Sequence, residues 1–139
     1  MRLLILGGVL VLLASQVAAQ QLSPTQSLVY LQRSNNALAG LIGTLQQADG
    51  DAKLLAAMQD YTAVLAEQVA EYQDAQPAKV NTLWLVQGYA EEHRRARRLA
   101  QQFAEVYQKV AARLQNREIR EAAEQMMRLN QLLPAWVIE

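Results

Sequence analysis

Hydrophobic residues recur every three or four positions along almost the whole of this chain. No stretch alternates with the two-residue period of a β-strand, so the pattern predicts an all-α protein. The apolar positions fall into four amphipathic segments, separated by short stretches that contain Gly, Asn or Pro. We therefore expect an antiparallel helical bundle of three to four helices, one of which is long.

The first predicted helix begins at a recognisable N-terminal signal. In Ser23-Pro24-Thr25-Gln26, the serine suits the N-cap, the proline the first helical position and the glutamine the third. Ser and Gln at that spacing form a capping box, because each side chain can accept a hydrogen bond from the other residue's backbone N–H. The sequence predicts a helix that begins at Pro24.

The apolar seam of this first helix contains one polar residue, Asn35. The seam positions are Leu28, Leu31, Asn35, Leu38, Ile42 and Leu45. A single buried Asn can fix the register of associating helices at some cost in stability. We expect the helix to end at Asp49-Gly50-Asp51, with Gly50 as a left-handed C-cap and Asp51 as the cap of the next helix.

The second and third predicted helices differ in length. The second ends before Gln76-Pro77, and its stripe is Leu54, Met58, Tyr61, Leu65, Val69 and Tyr72. The third is expected to run over 78–115, about 38 residues or about 57 Å, and so to outrun its neighbours. Its stripe is Leu85, Tyr89, His93, Ala96, Ala100, Phe103, Tyr107, Val110 and Leu114.

The apolar face changes direction after Leu114, which predicts a break. The next apolar positions are Ile119, Ala122, Met126, Leu129 and Leu133. At about 100° per residue they lie roughly a quarter-turn from the preceding stripe. We expect a turn or kink at Gln115-Asn116, with Asn116 as the cap of a fourth helix that ends at Pro134. Residues 134–139 then form an apolar tail.

The first nineteen residues have the layout of a secretory signal peptide. Arg2 supplies a positive charge, Leu3 to Ala14 is an apolar run, and Val17 and Ala19 occupy the small-residue positions before a cleavage site at Gln20. The alternative is a retained membrane anchor. The segment from Leu3 to Ala19 is about 25 Å long as a helix, whereas a span takes about 20 apolar residues, which favours cleavage.

Composition narrows the location and the partners. The chain has no cysteine, and its 13 basic and 13 acidic residues give a formal net charge of zero. An exported helical domain without disulfides is typical of the bacterial periplasm or cell envelope, with secretion as the fallback. Residues 20–133 are long enough for one domain with a modest core. Since the chain has no excess of positive charge, we expect it not to bind nucleic acid. Contact with a membrane is expected only through a retained leader.

Catalytic and cofactor motifs are missing from the sequence. We find no Ser-centred elbow, no glycine-rich phosphate loop and no metal-ligand spacing around His93, the single histidine. His93 with a distant Met could bind haem in a four-helix protein, but a partly buried imidazole bonded to Gln, Tyr or Glu of a neighbouring helix is the simpler interpretation. We therefore expect no enzyme activity, no metal and no cofactor.

The third predicted helix carries the residues most suited to contact a partner. Its run Glu91 to Arg98 holds four arginines, and local pairing of Glu91 and Glu92 with arginines three and four positions on leaves Arg94 and Arg98 outward. Trp84 lies off the stripe, and Trp is common at interface hot spots. The expected partner-binding residues are Trp84, Arg94, Arg95, Arg98 and, in the tail, Trp136.

The start of the mature chain resembles one known motif. Leu22-Ser23-Pro24-Thr25-Gln26 is similar to the L-[ST]-x-x-Q motif of the Spy/CpxP class of periplasmic helical chaperones. The resemblance covers five residues, no second copy follows, and the capping box explains the same letters. The family is therefore not assigned, although the resemblance would imply a periplasmic chaperone.

Together these features predict an exported, non-enzymatic helical protein of the envelope or periplasm. It would act as an adaptor or accessory subunit by docking its third helix to a protein partner or to a second copy. The alternative is a periplasmic ligand-binding or chaperone-like helical protein.

Overall fold

A computed structural model describes residues 21–133, and this part of the chain is all-helical, as the periodicity predicts. The helices are α1 Pro24–Gln47, α2 Asp51–Tyr72, α3 Val80–Leu83, α4 Tyr89–Ala111 and α5 Arg117–Leu132. A single bridge between Gln21 and Gln76 is the only extended pairing within these residues. The predicted leader, 1–19, and the predicted tail, 134–139, lie outside the described residues.

The capping box that opens α1 is confirmed. The hydroxyl of Ser23 accepts a hydrogen bond from the backbone N–H of Gln26 at 3.1 Å. The side-chain oxygen of Gln26 in turn accepts one from the backbone N–H of Ser23 at 2.9 Å. Two of the backbone donors at the start of α1 are thereby satisfied within the motif itself.

The expected cap between α1 and α2 is wrong in its details. Gly50 has a φ of 174° and is therefore extended rather than left-handed, and it serves as the N-cap of α2 without a side-chain bond. Asp51 is the first residue of α2. Its carboxylate accepts a hydrogen bond from Asn116 Nδ2 at 3.0 Å and lies 3.6 Å from Arg113 Nε. Asp51 thus joins the two halves of the chain.

The single long helix predicted over 78–115 is wrong, because the chain turns between α3 and α4. Gly88 has a φ of +90°, a left-handed conformation that an α-helix cannot contain. Turn hydrogen bonds from Leu85 N to Thr82 O and from Val86 N to Leu83 O replace the helical ladder. Leu85, expected in the stripe, is 86% exposed. At 23 residues α4 is no longer than the neighbouring 24-residue α1, so it does not outrun that helix.

The predicted break after Leu114 is confirmed. Asn116 is the N-cap of α5, and its side-chain oxygen accepts hydrogen bonds from Glu118 N and Ile119 N at 3.0 and 3.4 Å. The apolar stripe of α5 begins at Ile119, which is fully buried. Since the chain changes direction at this cap, α4 and α5 form a second helical hairpin.

The two hairpins, α1–α2 and α4–α5, lie side by side with their first helices parallel. Asn35 of α1 bonds to Glu92 of α4, and Leu45 near the end of α1 meets Lys109 near the end of α4. The bundle is therefore antiparallel within each hairpin but parallel between α1 and α4. The expectation of a wholly antiparallel bundle is corrected in this respect.

The second helices of the hairpins run parallel as well. Asp51 at the start of α2 contacts Asn116 at the start of α5. Further along, Ala66 of α2 and Gln125 of α5 line one groove. One end of the fold, which we call the proximal end, therefore contains the starts of α1 and α4, the ends of α2 and α5, and α3.

The core contains most of the predicted seam residues. Leu41, Leu99 and Val106 are also buried although they lie off the predicted seams, whereas Leu85 and Ala100 of the predicted third stripe are exposed. A large cluster joins the two hairpins, and a smaller one lies under α3 near the proximal end. Buried members of the large cluster include Leu41, Ile42, Leu45, Leu54, Met58, Leu65, Leu99, Val106, Val110, Ile119 and Met126. The small cluster contains Leu28, Leu31, Ala78, Leu83, Tyr89 and Ala96. The hairpin interface is thus the main hydrophobic contact of the fold.

Lys109 of the second hairpin contacts the end of α1 in the first. The ammonium of Lys109 donates to the carbonyls of Leu45 at 3.1 Å and Gln46 at 2.8 Å, at the C-terminus of α1. The last carbonyls of a helix carry partial negative charge, so a cation is favourable there. Lys109 therefore caps α1 from the neighbouring hairpin.

Candidate functional site

Three arginines on the outer face of α4 have no ionic partner in the part of the chain that the structure describes. Arg94, Arg97 and Arg98 are exposed and form no ion pair among residues 21–133. We call these three residues the arginine patch. Arg94 lies three positions before Arg97 and four before Arg98, so its side chain is a neighbour of both on the helix surface.

Four other described arginines, Arg33, Arg95, Arg113 and Arg117, are paired with carboxylates. Arg33 donates to Glu71 at 2.7 Å, and this hydrogen bond raises the pKa of Arg33. Arg117 bonds to Glu121 at 2.8 Å, one turn further along α5. The arginine patch differs from these because no described carboxylate lies within ion-pair distance of it. Its positive charge is therefore directed to solvent.

Arg95, expected at the partner surface, instead contacts the neighbouring helix α1 at the edge of the fold. Its guanidinium donates to Asn36 Oδ1 at 2.8 Å and lies 3.5 Å from the carboxylate of Glu92. The predicted pairing of Glu92 with Arg95 is present, whereas Glu91 pairs with neither Arg94 nor Arg95 in the described structure. The contact with α1 through Asn36 could not be read from helical spacing within α4.

Trp84 lies on the turn that separates α3 from α4, beside two other exposed apolar residues. The exposed fraction is 42% for Val80, 47% for Trp84 and 86% for Leu85. We call these three residues the apolar shoulder. Trp84 therefore belongs to a different element from the arginines, and the expectation that one helix carries both is wrong.

The indole of Trp84 packs against two aromatic residues of α4. Its ring centroid lies 5.1 Å from Tyr89 in an edge-to-face arrangement and 5.0 Å from His93. Burial raises the pKa of the Tyr89 hydroxyl, and the side chain is only 2% exposed. His93 is buried as expected, but its contacts are these aromatic rings rather than a Gln, Tyr or Glu hydrogen bond from another helix. Tyr89 and His93 together cover one side of the Trp84 indole, and the other side is exposed to solvent.

The arginine patch begins next to this aromatic cluster. Arg94 follows His93 directly, and Arg97 lies one turn beyond it on α4. Of the five residues predicted for partner binding, the structure exposes Trp84 on the turn after α3 and Arg94 and Arg98 in the first half of α4, and Arg95 contacts α1. Trp136 lies outside the described residues.

An apolar cleft, missed in the sequence, opens between α4 and α5. Its volume is about 270 Å³, and it is lined by Leu38, Tyr61, Ala100, Phe103, Met126, Met127 and Asn130. Tyr61 is mostly buried, and desolvation raises the pKa of its hydroxyl to about 12. Helical periodicity assigns Leu38, Tyr61, Ala100, Phe103 and Met126 to core stripes and leaves Met127 and Asn130 outside them, so the sequence pattern gives no sign of the opening.

Residues 21–133 contain neither a cluster of metal-binding side chains nor a candidate membrane-spanning helix. Residues 21–133 bring together no group of three His, Cys, Asp or Glu side chains that could hold a metal ion. None of the helices α1–α5 combines the length and the hydrophobicity that crossing a bilayer requires. Three surface features of residues 21–133 are candidates for function: the arginine patch, the apolar shoulder and the α4–α5 cleft.

Comparison of the chain with protein-family models, curated proteins and solved structures finds no significant match. A proposal for the function therefore depends on these three surfaces.

Proposed function

We propose that this chain is a non-enzymatic adaptor or accessory subunit of the bacterial cell envelope or periplasm, exported by its leader, which binds an acidic protein surface through α4. The observation that carries the proposal is the unneutralised arginine patch. Arg94, Arg97 and Arg98 form no ion pair in the described chain, although four other arginines do.

Close like charges on one helical turn cost stability unless something compensates them. Pairs of like charge at spacings of three or four residues destabilise a helix by about 0.2–0.5 kcal/mol each. A partner that supplies carboxylates would remove this repulsion and gain bidentate hydrogen bonds, since guanidinium matches carboxylate geometry. The exposed patch is therefore better suited to binding an acidic protein than to stabilising the fold.

A charge-reversal experiment tests the proposal. The double variant Arg94→Glu/Arg98→Glu and the wild type are each tagged and used to isolate bound proteins from envelope extract of the source cells. We expect the wild type to retain a defined protein that the variant loses. We also expect the amount retained to fall as NaCl rises, because exposed charges are screened over about 8–10 Å at 0.1–0.15 M ionic strength.

The matched control is Arg120→Glu/Arg128→Glu, which makes the same change in net charge on α5. Both residues are exposed and neither forms an ion pair in the described chain. The control should retain the partner and, like the test variant, keep the helical circular dichroism of the wild type. Equal loss of the partner in both double variants would show that net charge, not the arginine patch, governs the interaction.

The α4–α5 cleft favours a second candidate, a ligand-binding protein. Its lining is apolar, with the flexible side chains of Met126 and Met127 at one wall. Such a cleft suits a small apolar molecule whose polar atom bonds to Tyr61. Filling it with Ala100→Phe should abolish the fluorescence that a neutral apolar dye such as N-phenyl-1-naphthylamine gains on binding in the cleft. Retention of the partner by Ala100→Phe would separate this function from the first.

A further inference from the structure

The apolar shoulder is a second surface that the proposed adaptor function does not use. Val80, Trp84 and Leu85 are exposed side by side on α3 and the turn after it, while polar and charged residues cover most of the remaining helix surfaces. We propose that the shoulder inserts into the interface of a lipid bilayer and so sets the proximal end of the fold against the membrane.

The chemistry of the segment suits the headgroup region of a bilayer. Between Asp74 and Glu91 the chain has no acidic residue, and its only charged side chain is Lys79. The segment that carries the shoulder therefore brings no carboxylate of its own into the headgroup region. Trp is enriched at membrane interfaces because its ring is apolar while its N–H remains near water, and Leu contributes apolar area beside it.

The backbone of the shoulder is prepared for a less polar environment. The N–H groups of Trp84, Leu85 and Val86 donate to carbonyls of the preceding turn at 3.0–3.3 Å. Moving a turn out of water costs less free energy when its backbone N–H groups are already hydrogen-bonded than moving an open loop does. The shoulder can therefore enter the interface without refolding.

Trp84 is held in place before any contact is made. Its ring lies edge-to-face on Tyr89 and against His93, both of which are buried. A side chain that is already ordered loses little conformational entropy on binding. The packing orients the exposed part of the indole, together with Leu85, away from the core.

The position of the shoulder gives the second argument for a membrane. Leu22 N donates to Gln76 O at 2.7 Å, so the chain enters the fold at the proximal end, where α3 lies. In the sequence, the apolar run Leu3 to Ala19 stops only two residues before Gln21. While that segment is in a membrane, no spacer separates the bilayer from the proximal end.

The size of the surface favours a bilayer over a protein partner. Even a fully buried aromatic side chain contributes only about 150–250 Å². Three partly buried side chains therefore offer on the order of half the ~800 Å² per partner that a stable protein interface uses. A lipid interface needs no complementary surface of that extent, since a few apolar side chains are enough to anchor a tethered fold.

Depth-dependent fluorescence quenching tests the proposal on the full chain. Trp136→Phe leaves Trp84 as the only tryptophan, and the protein is reconstituted in vesicles of three parts phosphatidylcholine to one part phosphatidylglycerol. Brominated acyl chains quench only indoles that insert. We expect them to reduce Trp84 emission by about half or more, because interfacial side chains lie about 5–10 Å into the headgroup and acyl boundary.

Two variants provide the controls. Adding Leu85→Asp should remove most of the quenching without loss of helicity, because Leu85 is 86% exposed and has no packing role in the core. A reporter at the exposed residue Val64, made by Trp84→Phe, Trp136→Phe and Val64→Trp, lies in the middle of α2 and should not be quenched. If Trp84 is quenched no more than that reporter, or if Leu85→Asp leaves its quenching unchanged, the proposal is wrong. Since this test does not involve the arginine patch, it can fail while the adaptor function stands.

Discussion

The side-chain amide of Asn35 donates two hydrogen bonds to Glu92, one to the backbone carbonyl at 3.0 Å and one to the carboxylate at 2.8 Å. Asn35 is 3% exposed, so these bonds lie inside the contact between α1 and α4. The carboxylate of Glu92 also lies 3.5 Å from Arg95, which in turn donates to Asn36. These four residues form one polar network that aligns the first helices of the two hairpins.

Removing Asn35 should therefore cost more than removing its neighbour Asn36. We expect Asn35→Ala to lower the free energy of unfolding by about 1–3 kcal/mol, because the backbone carbonyl and the half-buried carboxylate of Glu92 each lose a donor. Asn36→Ala should cost about 0.5 kcal/mol, since its bond to Arg95 is exposed. Urea denaturation measures both. Equal costs would mean that the network does not fix the contact between α1 and α4.

Lys109 should stabilise the fold through the C-terminus of α1. Its ammonium donates to three carbonyls there, those of Leu45, Gln46 and Ala48, at 2.8–3.5 Å. We expect Lys109→Met to reduce stability by about 1–2 kcal/mol, the upper range for a cation at a helix terminus. Lys53→Met is the control: it breaks an exposed pair with Asp49 and should cost less than about 0.5 kcal/mol. Thermal or urea unfolding that ranks the two variants in the reverse order would contradict this role.

The turn before α4 depends on the left-handed conformation of Gly88. Gly88→Ala should destabilise the protein by about 1–2 kcal/mol, because a Cβ atom is unfavourable at a φ of +90°. Gly40→Ala, within α1, should instead stabilise it by about 0.5–1 kcal/mol, since a Cβ there meets no atom within 4 Å and Ala favours the helix. Unfolding curves of the two variants should therefore shift in opposite directions from that of the wild type.

The pKa of Tyr61 predicts a loss of stability in alkaline solution. Desolvation raises the pKa of its hydroxyl from 10.0 to about 12 in the folded state. Below pH 10 the phenol is neutral in both states and stability is unaffected, whereas between pH 10 and 12 the unfolded chain ionises first. At pH 11 this should lower the free energy of unfolding by about 1 kcal/mol.

Tyr61→Phe isolates that contribution. In this variant the fall in unfolding free energy between pH 9.5 and 11 should be smaller than in the wild type by about the same 1 kcal/mol. Urea titrations at several pH values measure the difference. Parallel pH profiles for the two proteins would show that the hydroxyl of Tyr61 is not buried in solution.

The sequence predicts the elements that depend on local chemistry. The capping box at Ser23 and the cap at Asn116 are both present, because each needs only residues within one helical turn. The break at Gly88 was not predicted. Leu85, Tyr89 and His93 keep a helical spacing across it, so the apolar pattern continues where the backbone does not. A glycine in a helical pattern was the only local sign of the turn.

The candidate site could be predicted only in part. Sequence spacing places Arg94 and Arg98 on the outer face of a helix, and the structure exposes both. It could not show that Arg95 is taken up by Asn36, because that bond joins residues 59 positions apart. The α4–α5 cleft likewise depends on the separation of two helices, which no pattern within either helix records.

Site-specific photocrosslinking in the source cells tests the adaptor function most directly. A photoreactive benzoylphenylalanine replaces Gln101, an exposed residue one turn beyond Arg97 and Arg98 on α4. If the arginine patch binds a partner, we expect an adduct of one defined protein from this position. The adduct should be absent when the same group replaces Gln59 on α2, and it should disappear in the Arg94→Glu/Arg98→Glu background. No adduct from position 101, or the same adduct after charge reversal, would contradict the claim that the arginine patch binds a partner.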